Sequence, residues 1–247
     1  MGNRAGSGWI ERADAHPMLE LERTVLDAGR HCIAGIDEAG RGPLAGPIVA
    51  AAVVLGEMVD GVNDSKLLTE SRRESLFKVL SDGPHAIGIE IVDAAFIDAN
   101  GIQPANYAVM RGAAEHLPCT PDFLLVDGFA VPGCATPQMR VVKGDRRSLS
   151  IAAASIIAKV TRDRMMKRLH DVYPEYGFAD HKGYGTKRHL KALEEYGPCP
   201  AHRRSFAPIA AAAQFDSDTP ALAYAAVYPL ALVAMTVAAQ ILVALLR

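Results

Sequence analysis

The sequence G-I-D-E-A-G-R-G-P-L-A-G-P, residues 35–47, places two adjacent carboxylates, Asp37 and Glu38, at the end of an apolar run. The run over residues 32–36 is typical of a short buried strand, and the glycines after it predict an irregular turn. A second apolar run over residues 47–55 predicts a second strand. The pattern therefore holds a carboxylate pair at a strand end.

Such a carboxylate pair requires compensation, because an unpaired buried charge costs several kcal/mol of desolvation. A divalent cation with oxygen ligands would provide it, and a glycine loop would let another backbone, such as a nucleic-acid strand, come close. The alternative is a salt-bridged turn with Arg41 or Arg111 as the partner. The motif alone favours neither interpretation.

Composition indicates a near-neutral protein with one basic region. The chain has 247 residues, enough for one sizeable domain, and a formal net charge of −2. Residues 138–204 carry 15 of the 26 basic side chains and only 7 of the 28 acidic ones. Such a segment is typical of a polyanion-binding surface, although solvated helix faces are the alternative. The four cysteines have no C-x-x-C spacing, so reduced thiols in a cytosolic protein are expected, without a zinc site or a disulfide framework.

The rest of the pattern predicts alternating strands and helices after a loose lead-in over residues 1–17. Further strands are predicted over residues 86–92, 123–126 and 139–142. Helices are predicted over residues 18–29, 69–80, 104–117 and 150–169, and between Thr186 and Gly197.

Two more carboxylates, Asp127 and Asp163, lie at a predicted strand end and on a predicted long helix. Asp127 ends the strand predicted over residues 123–126, as the first pair ends its own strand. On the long helix, Ser155, Lys159 and Asp163 recur at i, i+4 and i+8 and so lie along one stripe. Packing alone does not readily explain a serine, a lysine and an aspartate on one side of a buried helix. The alternative is a helix that emerges into solvent at Lys159.

Six further motifs follow the first stretch in the order known from one enzyme family. They are N-D-S-K at 63–66, L-V-D-G at 125–128, K-G-D at 143–145, A-A-A-S-I-I-A-K-V-T-R-D at 152–163, H-K-G-Y-G-T at 181–186 and H-R-x-S-F-x-P at 202–208. Together they resemble the signature of bacterial ribonuclease HII over roughly residues 18–210. The related ribonuclease HIII class carries an additional N-terminal domain and a different sequence around its carboxylate pair, so the chain resembles HII more closely.

This resemblance implies an α/β fold of the ribonuclease H-like kind, a mixed sheet flanked by helices, with a helical C-terminal portion and a catalytic domain over residues 18–213. The implied reaction is endonucleolytic hydrolysis of RNA in RNA–DNA hybrids and on the 5′ side of ribonucleotides embedded in duplex DNA, leaving 3′-hydroxyl and 5′-phosphate ends. The implied roles are ribonucleotide removal from DNA and RNA primer processing. A non-catalytic hybrid-binding module with a structural metal is the alternative.

The resemblance also implies an Asp-Glu-Asp-Asp active site that binds Mg²⁺ or Mn²⁺, formed by Asp37, Glu38, Asp127 and Asp163. Neighbours on a regular strand point to opposite faces, so Asp37 and Glu38 can share an ion only where the strand ends or is distorted. Gly40 provides such a place.

Substrate recognition is expected from other groups. The resemblance implies that Gly40, Arg41 and Gly42 contact the ribose 2′-hydroxyl and adjacent phosphate, and that Tyr184 stacks against the sugar beside the ribonucleotide. A surface tyrosine in a glycine-flanked turn is the alternative for Tyr184. Candidates for backbone contacts are Asn63, Ser65, Lys66, Ser155, Lys159 and Lys182. For His181, His189 and His202 we expect phosphate contacts or packing instead of metal binding, because no pair of them has ligand spacing.

The C-terminal tail, residues 214–247, is not explained by the resemblance. Residues 219–246 carry no charged side chain, and residues 230–246 are a candidate transmembrane helix by length and composition. A hydrophobic helix that covers the core or a partner is the alternative. We expect a cytoplasmic, monomeric catalytic domain, with the tail as a candidate membrane anchor.

Overall fold

A computed structural model describes residues 7–14 and 16–214 of the chain. The hydrophobic tail and its candidate transmembrane helix over residues 230–246 lie outside this part, so that prediction stays a prediction. Among the helices that are described, none combines the length and the apolar character needed to span a bilayer.

Five strands form one mixed sheet in the described residues, in the order β3-β2-β1-β4-β5. The strands are β1 (Ile33–Ala39), β2 (Ile48–Val54), β3 (Ala86–Val92), β4 (Phe123–Asp127) and β5 (Gln138–Val141). Strand β2 pairs antiparallel with both β1 and β3, whereas β4 pairs parallel with both β1 and β5. The sheet confirms the predicted fold class, and all five predicted strands are present.

Eight α-helices accompany the sheet within the described ranges. They are α1 (Glu20–Asp27), α2 (Glu70–Asp82), α3 (Ala94–Asn100), α4 (Ile102–Glu115), α5 (Leu149–Val172), α6 (Phe178–His181), α7 (Lys187–Tyr196) and α8 (Ala207–Gln214). Thr69 and Thr186 are the predicted N-caps, and their hydroxyls accept hydrogen bonds from Arg72 N and His189 N. Helix α3 was not predicted, although Asp93 caps it in the same way.

The sheet is buried on both faces, as strand β2 shows. Its Ala51 and Val53 pack in one apolar cluster with α2 and the first half of α5. Ala50 and Ala52 point the other way and pack against α4. Side chains of a strand alternate between the two faces, so a continuous apolar run is what a doubly covered strand requires.

Helix α5 lies against β1 at unusually short range. A Cβ atom on Gly35 would lie 2.1 Å from the carbonyl carbon of Ser150, so only glycine permits this approach. The start of α5 is thereby fixed beside the strand that carries Asp37. The following turns of α5 then pass the end of that strand.

The expectation of a loose lead-in over residues 1–17 is not met by its described part. Residues Ser7–Arg12 form a 3₁₀ helix. Ile10 is buried, and Trp9 Nε1 donates a hydrogen bond to Leu55 O at 2.8 Å. Ser7 Oγ accepts one from Ile33 N at 3.1 Å. Trp9 and Ile10 thus extend the core beside β2. The sequence did not predict this packing because most residues of the segment are polar or glycine.

The C-terminal helices form a separate apolar cluster that brings two loops together. Tyr176, Phe178, Leu193 and Ile209 pack there with Leu44 from the glycine-rich loop that follows β1. Leu44 N donates to Gly183 O at 2.8 Å, and Arg203 N donates to Leu44 O at 2.9 Å. The glycine-rich loop, residues 40–47, therefore lies beside the loop of residues 181–186.

Candidate active site

The two aspartates of the strands meet because their strands are parallel neighbours. The last paired residues of β1 and β4 are Ile36 and Val126, and Asp37 and Asp127 follow them directly. Neighbouring strands lie about 4.8 Å apart, so the two carboxylates emerge side by side at the carboxyl edge of the sheet. The sequence predicted two acids at strand ends, and the topology makes those ends adjacent.

Glu38 lines the same cleft as Asp37, although neighbours on a regular strand point to opposite faces. Pairing of β1 with β2 continues through Ala39, whereas pairing with β4 ends one residue before Asp37. Since β4 no longer covers that edge of β1, both carboxylates border one cleft of about 330 Å³, called the acidic cleft below. Its lining residues are Asp37, Glu38, Ala39, Gly40, Arg41, Gly42, Ser65, Lys66, Asp127, Ser155, Lys159, Arg162 and Tyr184.

The three acids of the cleft carry negative charge that is poorly compensated. Burial raises the pKa of Asp37 well above its ordinary value, and the charges of Glu38 and Asp127 raise it further. Burial and Asp127 raise the pKa of Glu38 to about 7. Asp127 also has a raised pKa, chiefly because of burial. Glu38 Oε2 is buried without a hydrogen-bond partner, so the cleft favours a cationic ligand electrostatically.

An ion-paired turn does not account for these acids. Among the described residues, no basic side chain lies within ion-pair distance of Asp37, Glu38 or Asp127. Arg41 instead donates through Nη2 to Gln103 Oε1 at 2.6 Å, and its Cζ lies 4.6 Å from the centre of the Phe129 ring.

The other partner considered for that turn, Arg111, is engaged elsewhere. Its Nε lies 3.9 Å from Glu115 on the same helix. Neither arginine therefore neutralises the carboxylate pair by direct contact.

Asp163 occupies a different environment from the other three acids. Its Oδ1 accepts a hydrogen bond from Lys159 Nζ at 2.8 Å, and it does not line the acidic cleft. Lys159 does line the cleft and lies one helical turn earlier on α5. Within residues 7–14 and 16–214, no three Asp, Glu, His or Cys side chains are arranged to hold a metal ion. The structure thus places three of the predicted acids together in the cleft and pairs the fourth with Lys159 at its lining.

Two ion pairs beside the cleft join loops that the sequence did not relate to each other. Asp64 Oδ2 accepts from Arg146 Nε at 2.9 Å, and Asp145 Oδ2 accepts from Lys66 Nζ at 3.1 Å. These pairs join the N-D-S-K loop to the K-G-D turn. That turn also fixes the third acid, since Gly144 N donates to Asp127 Oδ1 at 2.6 Å.

The sequence showed the charged residues in and beside these two motifs. It did not show which of them form pairs, because the partners are far apart along the chain. Of the other predicted contacts in this region, Ser65 Oγ is hydrogen-bonded to Ser155 Oγ at 2.7 Å in the cleft. Asn63 is exposed and lies outside the cleft lining.

The glycine-rich loop rests on two buried arginines that sequence reasoning did not single out. Arg162 donates to Pro47 O, Ala45 O and Lys182 O at 2.9–3.1 Å. Arg203 donates to Gly46 O, Arg41 O and Gly40 O at 2.5–3.0 Å. Burial lowers the pKa of Arg162 to about 10 and that of Arg203 to about 9, so both remain cationic at neutral pH. Gly40 has φ +97°, and a Cβ there would lie 2.0 Å from Arg162 Nε.

Tyr184 also lines the cleft and is half-exposed. A Cβ atom on Gly42 would lie 3.9 Å from its ring, so the tyrosine stands beside the glycine loop. Lys182 does not line the cleft, and its Nζ donates to Ala179 O. His189 and His202 are buried, so packing and not phosphate contact is their environment.

The fold is a mixed five-stranded sheet with helices on both faces, and its acidic cleft lies at the ends of two parallel central strands. This combination defines a nuclease of the ribonuclease H-like class. The sequence model described as Ribonuclease HII matches residues 34–209. The chain belongs to the ribonuclease HII family, and it is a ribonuclease H enzyme, an endonuclease. The alternative of a non-catalytic binding module is therefore set aside.

Comparison with known proteins supports this assignment over most of the described chain. The chain is 55% identical to ribonuclease HII of Geobacillus kaustophilus over 194 residues, which are 78% of this chain and 74% of that protein. It is 52% identical to ribonuclease HII of Chloroflexus aggregans over 200 residues, 78% of this chain and 94% of that protein. The crystal structure of ribonuclease H2 from Pyrococcus horikoshii matches with a TM-score of 0.65 and 30% identity, covering 76% of this chain and 99% of that one.

Proposed function

We propose that this ribonuclease hydrolyses RNA in RNA–DNA hybrids and cuts on the 5′ side of ribonucleotides embedded in duplex DNA, leaving 3′-hydroxyl and 5′-phosphate ends. The observation that carries the proposal is a set of three carboxylates with raised pKa values beside a glycine loop, the buried Asp37 and the half-buried Glu38 and Asp127. The proposed roles are removal of ribonucleotides from DNA and processing of RNA primers in the cytoplasm.

The donor chemistry of the cleft fits Mg²⁺ or Mn²⁺, which prefer carboxylate oxygens. Asp37, Glu38 and Asp127 would hold the cation, with Asp163 as a further ligand from α5. When bound, a divalent cation lowers the pKa of a water nucleophile and neutralises the developing charge on the leaving 3′-oxygen. Support comes from the raised carboxyl pKa values and the unpartnered Glu38 Oε2, not from a preformed ligand geometry.

The remaining cleft residues suit the binding of a nucleic-acid backbone. Gly42 is exposed and has no side chain to cover its backbone, and Arg41 is held at the rim by Gln103 and Phe129. Lys66 supplies positive charge on the same surface. We propose that the glycine loop contacts the ribose 2′-hydroxyl, the group that distinguishes RNA from DNA at one position, while Tyr184 stacks against the neighbouring sugar.

A cleavage assay with end mapping tests this function. The substrates are a duplex with one ribonucleotide, the same duplex in all-DNA form and an RNA–DNA hybrid, each with Mg²⁺ or with EDTA. We expect cleavage of the first and third with Mg²⁺ only, and a product ending in a 3′-hydroxyl just 5′ of the ribonucleotide. Equal cleavage of the all-DNA duplex, or full activity in EDTA, would contradict the proposal.

A further inference from the structure

Two histidines connect the wall of the acidic cleft to the C-terminal cluster. His189 lies on α7 and is fully buried, and His202 follows the turn after Cys199 and is 2% exposed. Their Nε2 atoms are 2.9 Å apart. Neither side chain lines the cleft, and neither has been given a role by the proposed chemistry.

Hydrogen-bond partners assign the tautomer of each ring. His189 Nδ1 lies 2.9 Å from Tyr184 O, and a carbonyl can only accept, so His189 carries its proton on Nδ1. His202 Nδ1 accepts from Cys199 N at 3.0 Å, so its proton is on Nε2. His202 Nε2–H therefore donates to the bare Nε2 of His189. The result is one directed chain from the Cys199 amide through both imidazoles to the Tyr184 carbonyl.

Electrostatics keep the chain in this neutral form. Burial, followed by the neighbouring His189, lowers the pKa of His202 to about 4. Burial is also the main cause of the lowered pKa of His189. A protonated ring would have two donors and no acceptor, which would break the directed chain, so neutrality at pH 7 is what the arrangement requires.

The carbonyl at the end of this chain belongs to the residue that faces the substrate side. Tyr184 is 49% exposed and borders the cleft. The preceding residues are fixed by other buried groups, since Arg162 donates to Lys182 O and Leu44 N donates to Gly183 O. At Tyr184 itself the donor is the His189 side chain, whose Nδ1 lies 2.9 Å from the Tyr184 carbonyl oxygen. The two histidines therefore hold the backbone of the residue whose ring borders the cleft.

We propose that His189 and His202 are positioning residues that fix Tyr184 in the acidic cleft and thereby set the affinity for the sugar beside the cleaved ribonucleotide. The inference rests on the proposed function, because it assumes that Tyr184 contacts the ribonucleotide-containing duplex. It goes beyond that function by assigning a substrate-binding effect to two histidines that touch no substrate.

Two variants of one residue separate positioning from folding. His189→Asn keeps a donor near the Nδ1 position and loses the acceptor for His202, whereas His189→Gln keeps an acceptor near the Nε2 position and loses the donor to Tyr184. Each removes one buried hydrogen bond, so we expect similar decreases in Tm. Only His189→Gln should raise the KM for the single-ribonucleotide duplex, by about 3- to 10-fold, with kcat nearly unchanged.

A double-mutant cycle with Tyr184→Ala provides the second readout. Where Tyr184 has no ring to position, His189→Gln should lower Tm as before and cause no further rise in KM. Ser150→Ala is the matched control, because it removes a buried hydrogen bond to Glu22 Oε1 away from the cleft. It should lower Tm and leave KM unchanged.

Equal KM values for His189→Asn and His189→Gln would overturn the inference, and so would a KM increase that persists undiminished in the Tyr184→Ala background. Nitrogen-15 NMR of the wild-type imidazoles tests the chain even if the variants fail to fold. Protons on Nδ1 of His189 and Nε2 of His202 are expected, and any other pair of tautomers would overturn it. If the wild-type enzyme left the duplex uncut, the proposed function would be contradicted. The histidine tautomers would still be tested, because the NMR measurement does not depend on activity.

Discussion

Asp37 and Asp127 each occupy the first position after the last paired residues of two parallel strands, Ile36 of β1 and Val126 of β4. This relationship places two like charges side by side at one edge of the sheet, where Glu38 borders the same cleft. Burying like charges together opposes folding, so the arrangement indicates selection for binding and not for stability.

Replacing Asp37 by Asn should abolish catalysis and stabilise the fold. A neutral amide cannot replace a carboxylate ligand, so we expect cleavage to fall by at least about a thousandfold. In EDTA at pH 8, loss of the repulsion with Glu38 and Asp127 should raise the free energy of unfolding by roughly 1 kcal/mol. Cleavage assays and urea unfolding measure the two effects. A variant that is active, or one less stable than the wild type, would contradict the account.

Glu38 should make the metal-free protein less stable as pH rises. The pKa of Glu38 is about 7 in the folded chain against an ordinary value of 4.5, so between those values the folded state binds more protons than the unfolded state. Stability from this group is therefore present below pH 4.5 and lost as pH rises through 7, by about 3 kcal/mol at the limit. Urea unfolding in EDTA at pH 5 and pH 8 measures the loss, which Glu38→Gln should reduce; a remainder is expected because Asp37 and Asp127 also have raised pKa values. An identical pH dependence in the variant would refute the assignment.

Asp163→Asn should impair the enzyme less than Asp37→Asn. The Asp163 carboxylate is paired with Lys159 and lies outside the cleft lining, so it is a peripheral ligand at most. We expect a loss in kcat of about 10- to 100-fold, or about 1.4 to 2.7 kcal/mol in activation free energy. Single-turnover cleavage at saturating Mg²⁺ compares the two variants. Equal inactivation by both would show that Asp163 belongs to the central set.

Phe129→Ala should weaken substrate binding through Arg41. The guanidinium lies over the Phe129 ring, and such contacts at exposed sites contribute about 0.5 to 1 kcal/mol, so KM should rise about 2- to 5-fold. Phe129→Tyr keeps the aromatic face and serves as the control. Steady-state kinetics on the single-ribonucleotide duplex supply the measurement. The idea fails if the tyrosine variant binds as weakly as the alanine variant.

The sequence predicted those parts of the fold that local patterns encode. Thr69 and Thr186 cap their helices as expected, and the apolar run in β2 is buried on both faces. Asp37, Glu38 and Asp127 were identified because acids at the ends of apolar runs stand out locally, and the resemblance joined them into one site. Helix α3 escaped prediction because its seven residues are too few to show a clear period.

Features that depend on distant contacts could not be predicted. Arg162 and Arg203 gave no sign that they would be buried against loop carbonyls, since arginine usually lies at the surface. Pairing of Asp64 with Arg146 joins residues 82 positions apart, which no local pattern encodes. Asp163 shares the helical stripe of Lys159 as predicted, but the ion pair between them decides where its carboxylate lies.

Direct titration with Mn²⁺, followed by electron paramagnetic resonance at pH 8, tests the central claim that the clustered carboxylates bind a divalent cation. Wild-type protein should bind Mn²⁺, and the exposed control Asp82→Asn should bind it equally well. Asp37→Asn and Asp127→Asn should each weaken binding by about tenfold or more. Undiminished Mn²⁺ affinity in Asp37→Asn would contradict the claim.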